Sequence, residues 1–412
     1  MNRVESHGNQ IDVSGRVGLL DFHRVLAAIH TLTTKREFKD IVLNFEACTA
    51  AYNGPMLSIC SAIASCRFRG IDIDVRLPLK ADLQRRFKNS NWAYLLDPTA
   101  FEGSAYRGEL NVPAISFSSP VEQSGAVNRM LDSLLGSLPG LARTDLSAVE
   151  WALNEITDNV LTHSESAPGG IVQLSNLRAK NLVEFAVSDS GVGIPNTLRR
   201  GHPELRSDTE ALDRAIREGV TTDPKIGQGN GLYGTYRIAS LSKGYFHVHS
   251  GYARLDFQNA GAHVRTETIP CVGTLVVVGI NRNEPDALKE ALRFNGRHGA
   301  EIDYLDTHFE AAGADVVFEM HAEAASFGSR VSGSRVRTKL DNLMRMNPEA
   351  RIVVDMREVA FCSSSFADEV FGKLFVSMGA LAFMRKFELR GVHPTVRSLI
   401  DRAISQRSAS EA

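Results

Sequence analysis

The sequence predicts an α/β protein in three units, a central one at residues 118–282 flanked by units at 1–112 and 298–412. Three observations carry this. A helical stretch, Trp151 to His163, follows Val149 and sets Val149, Leu153, Ile156 and Val160 at i, i+4, i+7 and i+11, an apolar stripe at helical period. An apolar strand, Leu182 to Val187, runs into the turn Ser188-Asp189-Ser190-Gly191-Val192-Gly193-Ile194-Pro195. On either side of this centre, strand and helix patterns alternate.

In the first unit, Asp40 to Phe45 reads as a buried strand. Gly54-Pro55 opens an apolar helix from Met56 to Cys66, Gly70 ends it, and Ile71 to Leu77 returns as a strand. Pro78 starts a further helix, to Lys88. Residues 111–117, around Pro113, read as a linker, and Val121 to Leu138 as a helix.

Asp145 or Ser147 caps the organising helix. Glu155, Asn159 and His163 stand four apart and share a face distinct from the apolar stripe. A carboxylate and an amide one turn apart suit a metal–nucleotide site: the amide oxygen is a hard donor for Mg²⁺, and the carboxylate can take a proton from an attacking hydroxyl or water. Surface helices also carry Glu and Asn by chance, so the pair gains meaning from its surroundings. Beyond the polar stretch Asn196–Ile226, which contains a helix-like run from Ser207 to Glu218, comes Gly227-Gln228-Gly229-Asn230-Gly231-Leu232-Tyr233-Gly234. Glycine-rich turns let backbone N–H groups approach phosphates, and a following helix start adds its positive end. Tyr245–His249, Ala253–Phe257 and Thr274–Gly279 read as strands, with His247 and His249 on a solvent face.

The third unit reads as a strand (Asp315–Met320), a helix (Gly333–Met344), a buried strand (Arg351–Asp355), and the loop Phe361-Cys362-Ser363-Ser364-Ser365 leading into a helix from Phe366. Phe387–Gly391 and a helix after Pro394 close it. Serines at a helix start act as caps or, alternatively, as phosphate acceptors.

In this order the motifs E-x3-N, D-x-G-x-G-I and G-x-G-x-G-L resemble the GHKL (histidine-kinase-like, Bergerat-fold) ATPase family, and Gly273-Thr274 before Leu275–Val278 resembles its last strand motif. The resemblance implies an α+β sandwich with a mixed sheet and a helical layer, binding ATP with Mg²⁺. Asn159 would coordinate the metal, Glu155 would be the base, and Asp189 would accept the adenine amino proton. Gly191 and Gly193, with Ile194 closing the motif, would shape the pocket wall. Thr221, Thr222 and Lys225 lie where they could reach the terminal phosphates. Gly229, Gly231 and Leu232 would present backbone amides to the phosphates, and Thr274 would support the adenine end. Residues 196–226 take the place of the family's ATP lid. Both flanking units resemble STAS domains, the third through V-D-x3-V-x-F-x-S-S-S-F-A-D-E. That family carries its phosphorylated residue in the loop before a helix, which implies Ser363, Ser364 or Ser365; the corresponding loop of the first unit offers only Thr49. Anti-sigma-factor serine kinases combine such an ATPase with STAS partners. The resemblance therefore implies either transfer of the γ-phosphoryl group to water or to a serine, or an ATP-dependent switch, with a regulatory protein partner and room for a homodimer.

Composition sets bounds. With 412 residues and 43% hydrophobic content, several globular domains are expected. A net charge of −2 gives no basic footprint for nucleic acid, and the short runs Arg85–Lys88 and Arg335–Lys339 read as solvated helix faces. Cys48, Cys60, Cys66, Cys271 and Cys362 lack paired spacing, which argues against zinc and for a reduced, cytoplasmic compartment. No segment reaches membrane-spanning length, and the polar start is no signal peptide. No histidine lies between His30 and His163, so the chain lacks the phospho-acceptor that a sensor histidine kinase carries ahead of its ATPase domain.

Overall fold

A computed structural model describes residues 3–105, 111–217, 231–258, 261–283, 290, 293–294, 297–298, 304–309 and 315–411. The architecture is mixed α/β, and the chain groups into two compact units, Met1–Met130 with Ala148–Glu301, and Leu131–Ser147 with Ile302–Ala412.

The first unit contains two sheets. One is built from β1 (Arg3–His7), β2 (Gln10–Val17), β3 (Asp40–Asn44), β4 (Cys48–Ala51) and β5 (Asp72–Arg76), in the order β1-β2-β3-β5 with β4 also on β2. The β1–β2 hairpin is antiparallel and the remaining pairs are parallel. Its helices are α1 (Phe22–His30), α2 (Asn53–Phe68), α3 (Ala81–Asn89) and α4 (Trp92–Leu96). The expected strands and helices after residue 40 are present, and β1, β2 and α1 precede them.

The other sheet runs β6 (Asn111–Phe117), β7 (Gly170–Leu177), β8 (Leu182–Asp189), β10 (Gly261–Asn281), β9 (Tyr245–Gln258). All four ladders are antiparallel, a narrower pattern than the mixed sheet expected from sequence. Residues 111–117 are therefore the edge strand β6, not a linker. Pro113 is tolerated because it falls between Val112 and Ile115, where the register shifts and no ladder bond is required. Helices α5 (Pro120–Ser137), α6 (Arg143–His163), α7 (Ile194–Gly201), α8 (Asp208–Ala215) and α9 (Gly231–Leu241) accompany it, with the end of α5 and the start of α6 grouping with the second unit. Val160 of α6 lies against Gly170 of β7, where an added Cβ would come 2.8 Å from the Val160 Cγ1.

Antiparallel sheets commonly keep one face wet, and their strands then alternate apolar and polar residues. Here β7 is buried along its first seven residues and β8 along most of its length. The reason is that α2 lies across the face opposite α6, so Ile171, Ala186, Leu275 and Val277 join one hydrophobic core with Ile11, Leu43, Leu57 and Ile63. Gly54 permits this approach, since a Cβ there would strike Val277 at 2.6 Å. Polar contacts cross the covered face: Asn53 Nδ2 donates to Ser175 Oγ at 2.8 Å and Trp92 Nε1 to Gln173 Oε1 at 2.9 Å. Tyr245 Oη donates to Glu184. His249, expected on a solvent face, is 0% exposed because α1 covers it. His247 is half-buried and bonded to Asp256.

The second unit has a parallel sheet of three strands in the order Val316–Glu319, Ile352–Asp355, Phe387–Arg390. Helix Arg330–Met346 is capped by Ser329, whose side chain accepts from Ser332 N at 3.2 Å. Lys339, read from sequence as part of a solvated face, is 3% exposed and bridges Asp132 and Glu323. Burial of an ammonium is tolerable only with such partners. The Asn342 amide donates to the Leu135 and Leu138 carbonyls at 2.8 Å each. Those bonds hold residues 131–147 to this unit. The helix that starts at Ser364 passes through a π-helical turn, Asp368–Gly372, before Lys373–Met378.

All five cysteines are buried and unpaired. No described helix is long and apolar enough to cross a membrane.

Candidate nucleotide site

The organising helix is fixed by its apolar stripe: Val149, Leu153, Ile156 and Val160 are buried, while Glu155, Asn159 and His163 are half-buried on another face. Thr157 strengthens the anchoring, accepting from Gln123 Nε2 at 2.8 Å. The helix closes at Ser164, whose Oγ donates to the Val160 carbonyl at 2.7 Å.

Glu155 faces the start of α9. A Cβ added at Gly231 would collide with Glu155 Oε2 and lie 3.4 Å from its Cδ, so a side chain here would push the carboxylate aside. The first and third sequence motifs thus meet at one point. Burial, helped by the nearby Asp158 charge, holds the Glu155 carboxyl above its ordinary range. That shift moves a carboxylate toward the range useful for a general base near neutral pH. Asn159, one turn on, has an amide that bonds to no described residue, which leaves its oxygen available to a ligand. Burial lowers the His163 pKa, against the opposing pull of Asp158.

The second motif closes on the same helix. Val192 N donates to the Ser164 carbonyl at 2.8 Å, and a Cβ on Gly191 would come within 2.6 Å of the Ser164 carbonyl carbon. Asp189 ends β8 opposite Thr274 of β10, is 5% exposed, and accepts from Gly191 N at 2.7 Å. Burial pushes its pKa up to about 7, against the opposing pull of the Gly191 and Thr274 amides. Gly193, at φ +79°, starts α7, and a Cβ there would meet Ser250 Oγ at 2.7 Å. Ser250 Oγ accepts from Ile194 N at 2.9 Å, donates to the Gly273 carbonyl at 3.0 Å and lies 3.2 Å from Thr274 Oγ1. Gly273, at φ +75°, lets β10 pass the end of β8, where a Cβ would be 2.7 Å from the Asp189 carbonyl carbon.

Glu155 of α6 therefore meets Gly231, while Asp189, Gly191, Gly193, Ile194 and Thr274 are joined by shared contacts that reach the end of the same helix at Ser164; Leu232 follows Gly231 at the start of α9. Thr221, Thr222, Lys225 and Gly229 lie outside the described residues. Sequence reasoning missed Ser164 and Ser250, which tie the glycine turn to α6 and to β9; isolated serines carry no motif signal. Within the stretch 196–226, read from sequence as taking the place of a lid, α7 and α8 are tied to each other and to β9, and residues 218–226 lie outside the described residues. Arg199 pairs with Asp208 at 2.5 Å, Asp208 accepts from Tyr252 N at 2.7 Å, and Ser207 and Glu210 form a capping box.

Among the described residues no cluster of three His, Cys, Asp or Glu side chains could hold a metal ion by itself. A single amide oxygen, that of Asn159, would leave most of a Mg²⁺ shell to phosphates and water, the usual arrangement for that ion.

In the second unit, Ser363 accepts from Phe366 N at 3.0 Å as an N-cap, lies 3.0 Å from Ser365 Oγ, and donates its own N–H to the Phe327 carbonyl at 2.8 Å. Ser364 is exposed.

Residues 117–236 match the family model for a histidine kinase-like ATPase domain, and residues 332–397 match that for a STAS-like domain of unknown function. No curated protein matches the chain.

Proposed function

We propose that this chain, which carries a histidine kinase-like ATPase domain and a STAS-like domain, is an ATP-binding regulatory protein that moves the γ-phosphoryl group of ATP to a serine of a STAS domain or to water. The observation that supports this best is the convergence of three distant motifs: Glu155 against Gly231, and the Asp189–Gly191 turn against Ser164 at the end of the same helix. Asp189 reads the adenine amino group. Asn159 is the protein's ligand for Mg²⁺, which when bound neutralises phosphate charge. Glu155 takes the proton from the attacking hydroxyl or water, and the oxygen of that hydroxyl or water bonds to the γ-phosphorus. The bond from that phosphorus to the bridging oxygen breaks, and ADP leaves with the electron pair. Positioning and charge neutralisation supply most of the catalysis in such a site.

Ser364 is the acceptor we favour within this chain, because it is exposed while Ser363 is engaged as a cap. That same engagement favours a second reading, in which ATP toggles an interaction with a regulatory partner and little phosphate is transferred. Calorimetry comes first. ATP should bind more tightly than GTP, with Asn159→Ala weakening Mg–ATP more than metal-free ATP; no binding, or equal affinity for GTP, would refute the pocket. Phosphopeptide mapping after incubation with Mg–ATP then separates the readings: phosphate on Ser364, or released to water, supports catalysis, and neither supports the switch.

A further inference from the structure

We infer that Ser58, Ser61 and His23, on helices of the N-terminal part, are positioning residues that hold the adenine end of the nucleotide pocket from behind. This rests on the nucleotide reading above and extends it to the opposite face of the sheet. Strand residues alternate between faces, so a residue that meets α1 or α2 has a neighbour that faces the pocket.

Two such pairs occur. On β8, Ser188 faces α2 and Asp189 faces the pocket. Ser188 Oγ donates to the Thr274 carbonyl at 3.1 Å, which occupies its proton, so Ser58 Oγ at 3.1 Å is the donor to Ser188. Ser61 Oγ donates to the Ser188 carbonyl at 3.2 Å. Both atoms of Ser188 that could shift Asp189 or Thr274 are thus held by α2. On β9, His249 faces α1 and Ser250 faces the pocket, where it secures Ile194, Gly273 and Thr274. His23 Nδ1 lies 2.9 Å from the Ile269 carbonyl, which can only accept, so the proton is on Nδ1. His23 Nε2 then accepts from His249 Nδ1 at 2.8 Å. Ser58, Ser61, Ser188, His23, His249 and Ser250 are all buried. They therefore fix backbone positions that water would otherwise leave free, and they do so at the adenine end. No such bond reaches Glu155 or Asn159 at the phosphate end among the described residues.

The test separates the two ends of the ligand. Ser58→Ala with Ser61→Ala in the full chain is titrated with ATP, GTP and tripolyphosphate, each with Mg²⁺, and its thermal midpoint is measured. ATP affinity should fall about tenfold, from the loss of buried hydrogen bonds, and the preference for ATP over GTP should shrink. Tripolyphosphate affinity should stay within about twofold of wild type, since it tests only the phosphate end. Should the double variant fold poorly, Ser61→Ala alone removes a single bond and should show the same pattern at about threefold. Parallel losses for ATP and tripolyphosphate would show a merely structural role, and unchanged ATP binding would overturn the inference. Wild-type protein that binds no ATP would overturn the nucleotide reading itself, a result distinct from wild-type binding that the variants share.

Discussion

If Asp189 reads the adenine amino group, ATP binding should follow its ionisation. The group is buried at the end of β8, and its pKa stands at about 7. Only the carboxylate is a full acceptor for the amino donor, and an apparent dissociation constant scales inversely with the competent fraction. That fraction is about one tenth at pH 6, half at pH 7 and nine tenths at pH 8, so ATP should bind about tenfold more tightly at pH 8 than at pH 6. Binding should also release protons near pH 7, because the new hydrogen bond favours the charged form. The assay is isothermal titration from pH 6 to 8.5 in buffers of different ionisation enthalpy, with Asp189→Asn alongside. ATP's own phosphate ionisation is common to both proteins and cancels in their ratio. A ratio of wild-type to variant affinity that stays flat across this range would refute the assignment. Stability carries the same signature. A raised folded-state pKa stabilises the fold below the ordinary carboxylate range, and that contribution is lost as pH rises toward about 7.

Other perturbations test other parts of the site. Glu155→Ala should leave ATP affinity within a few-fold but lower turnover by roughly 10²–10⁴, while Gly231→Ala, by displacing the same carboxylate, should also cut turnover more than binding; equal losses in both would deny Glu155 a role as base. The His23–His249 pair should make the fold acid-sensitive. Burial lowers both pKa values, so the unfolded chain takes up protons first and stability falls as pH drops below about 6.5. His249→Phe should flatten that part of a stability–pH curve measured by urea unfolding. Ser363→Ala should cost about 1 kcal/mol of stability as a lost cap, and Ser364→Ala almost none; only the latter should abolish phosphate incorporation if the chain is its own substrate.

The sequence was most legible where one local pattern sufficed. The stripe through Leu153 and Val160 located α6, and the glycine turns located contacts where a Cβ would collide. Legibility failed where a partner lay far along the chain. His249 alternates with apolar neighbours as a wet-face residue would, yet its partner is His23, and nothing near position 249 announces that. Lys339 sits in a basic run that reads as surface, but Asp132 and Glu323 receive it from elsewhere. Pro113 suggested a linker because a proline inside a strand is uncommon; an edge position with a register shift removes the objection. Ser164 and Ser250 act through one hydroxyl each, too small a signal to separate from any other serine.

The shared core beneath the central sheet bears on how this protein can be divided. The stretch matching the ATPase family model, 117–236, begins after α2 and stops before β9 and β10. Yet Ile171 and Ala186, inside it, are sealed by Leu57 and Ile63, outside it. Cutting the gene at the family boundary would leave an apolar sheet face in water, a surface of the kind that drives aggregation. Nor would a piece running from the N-terminus through β10 be self-contained, because residues 131–147 would lose their partners Lys339 and Asn342. Recombination between relatives would face the same constraint: an ATPase segment from another protein would have to bring its own cover, or inherit one whose glycine at position 54 clears its strands.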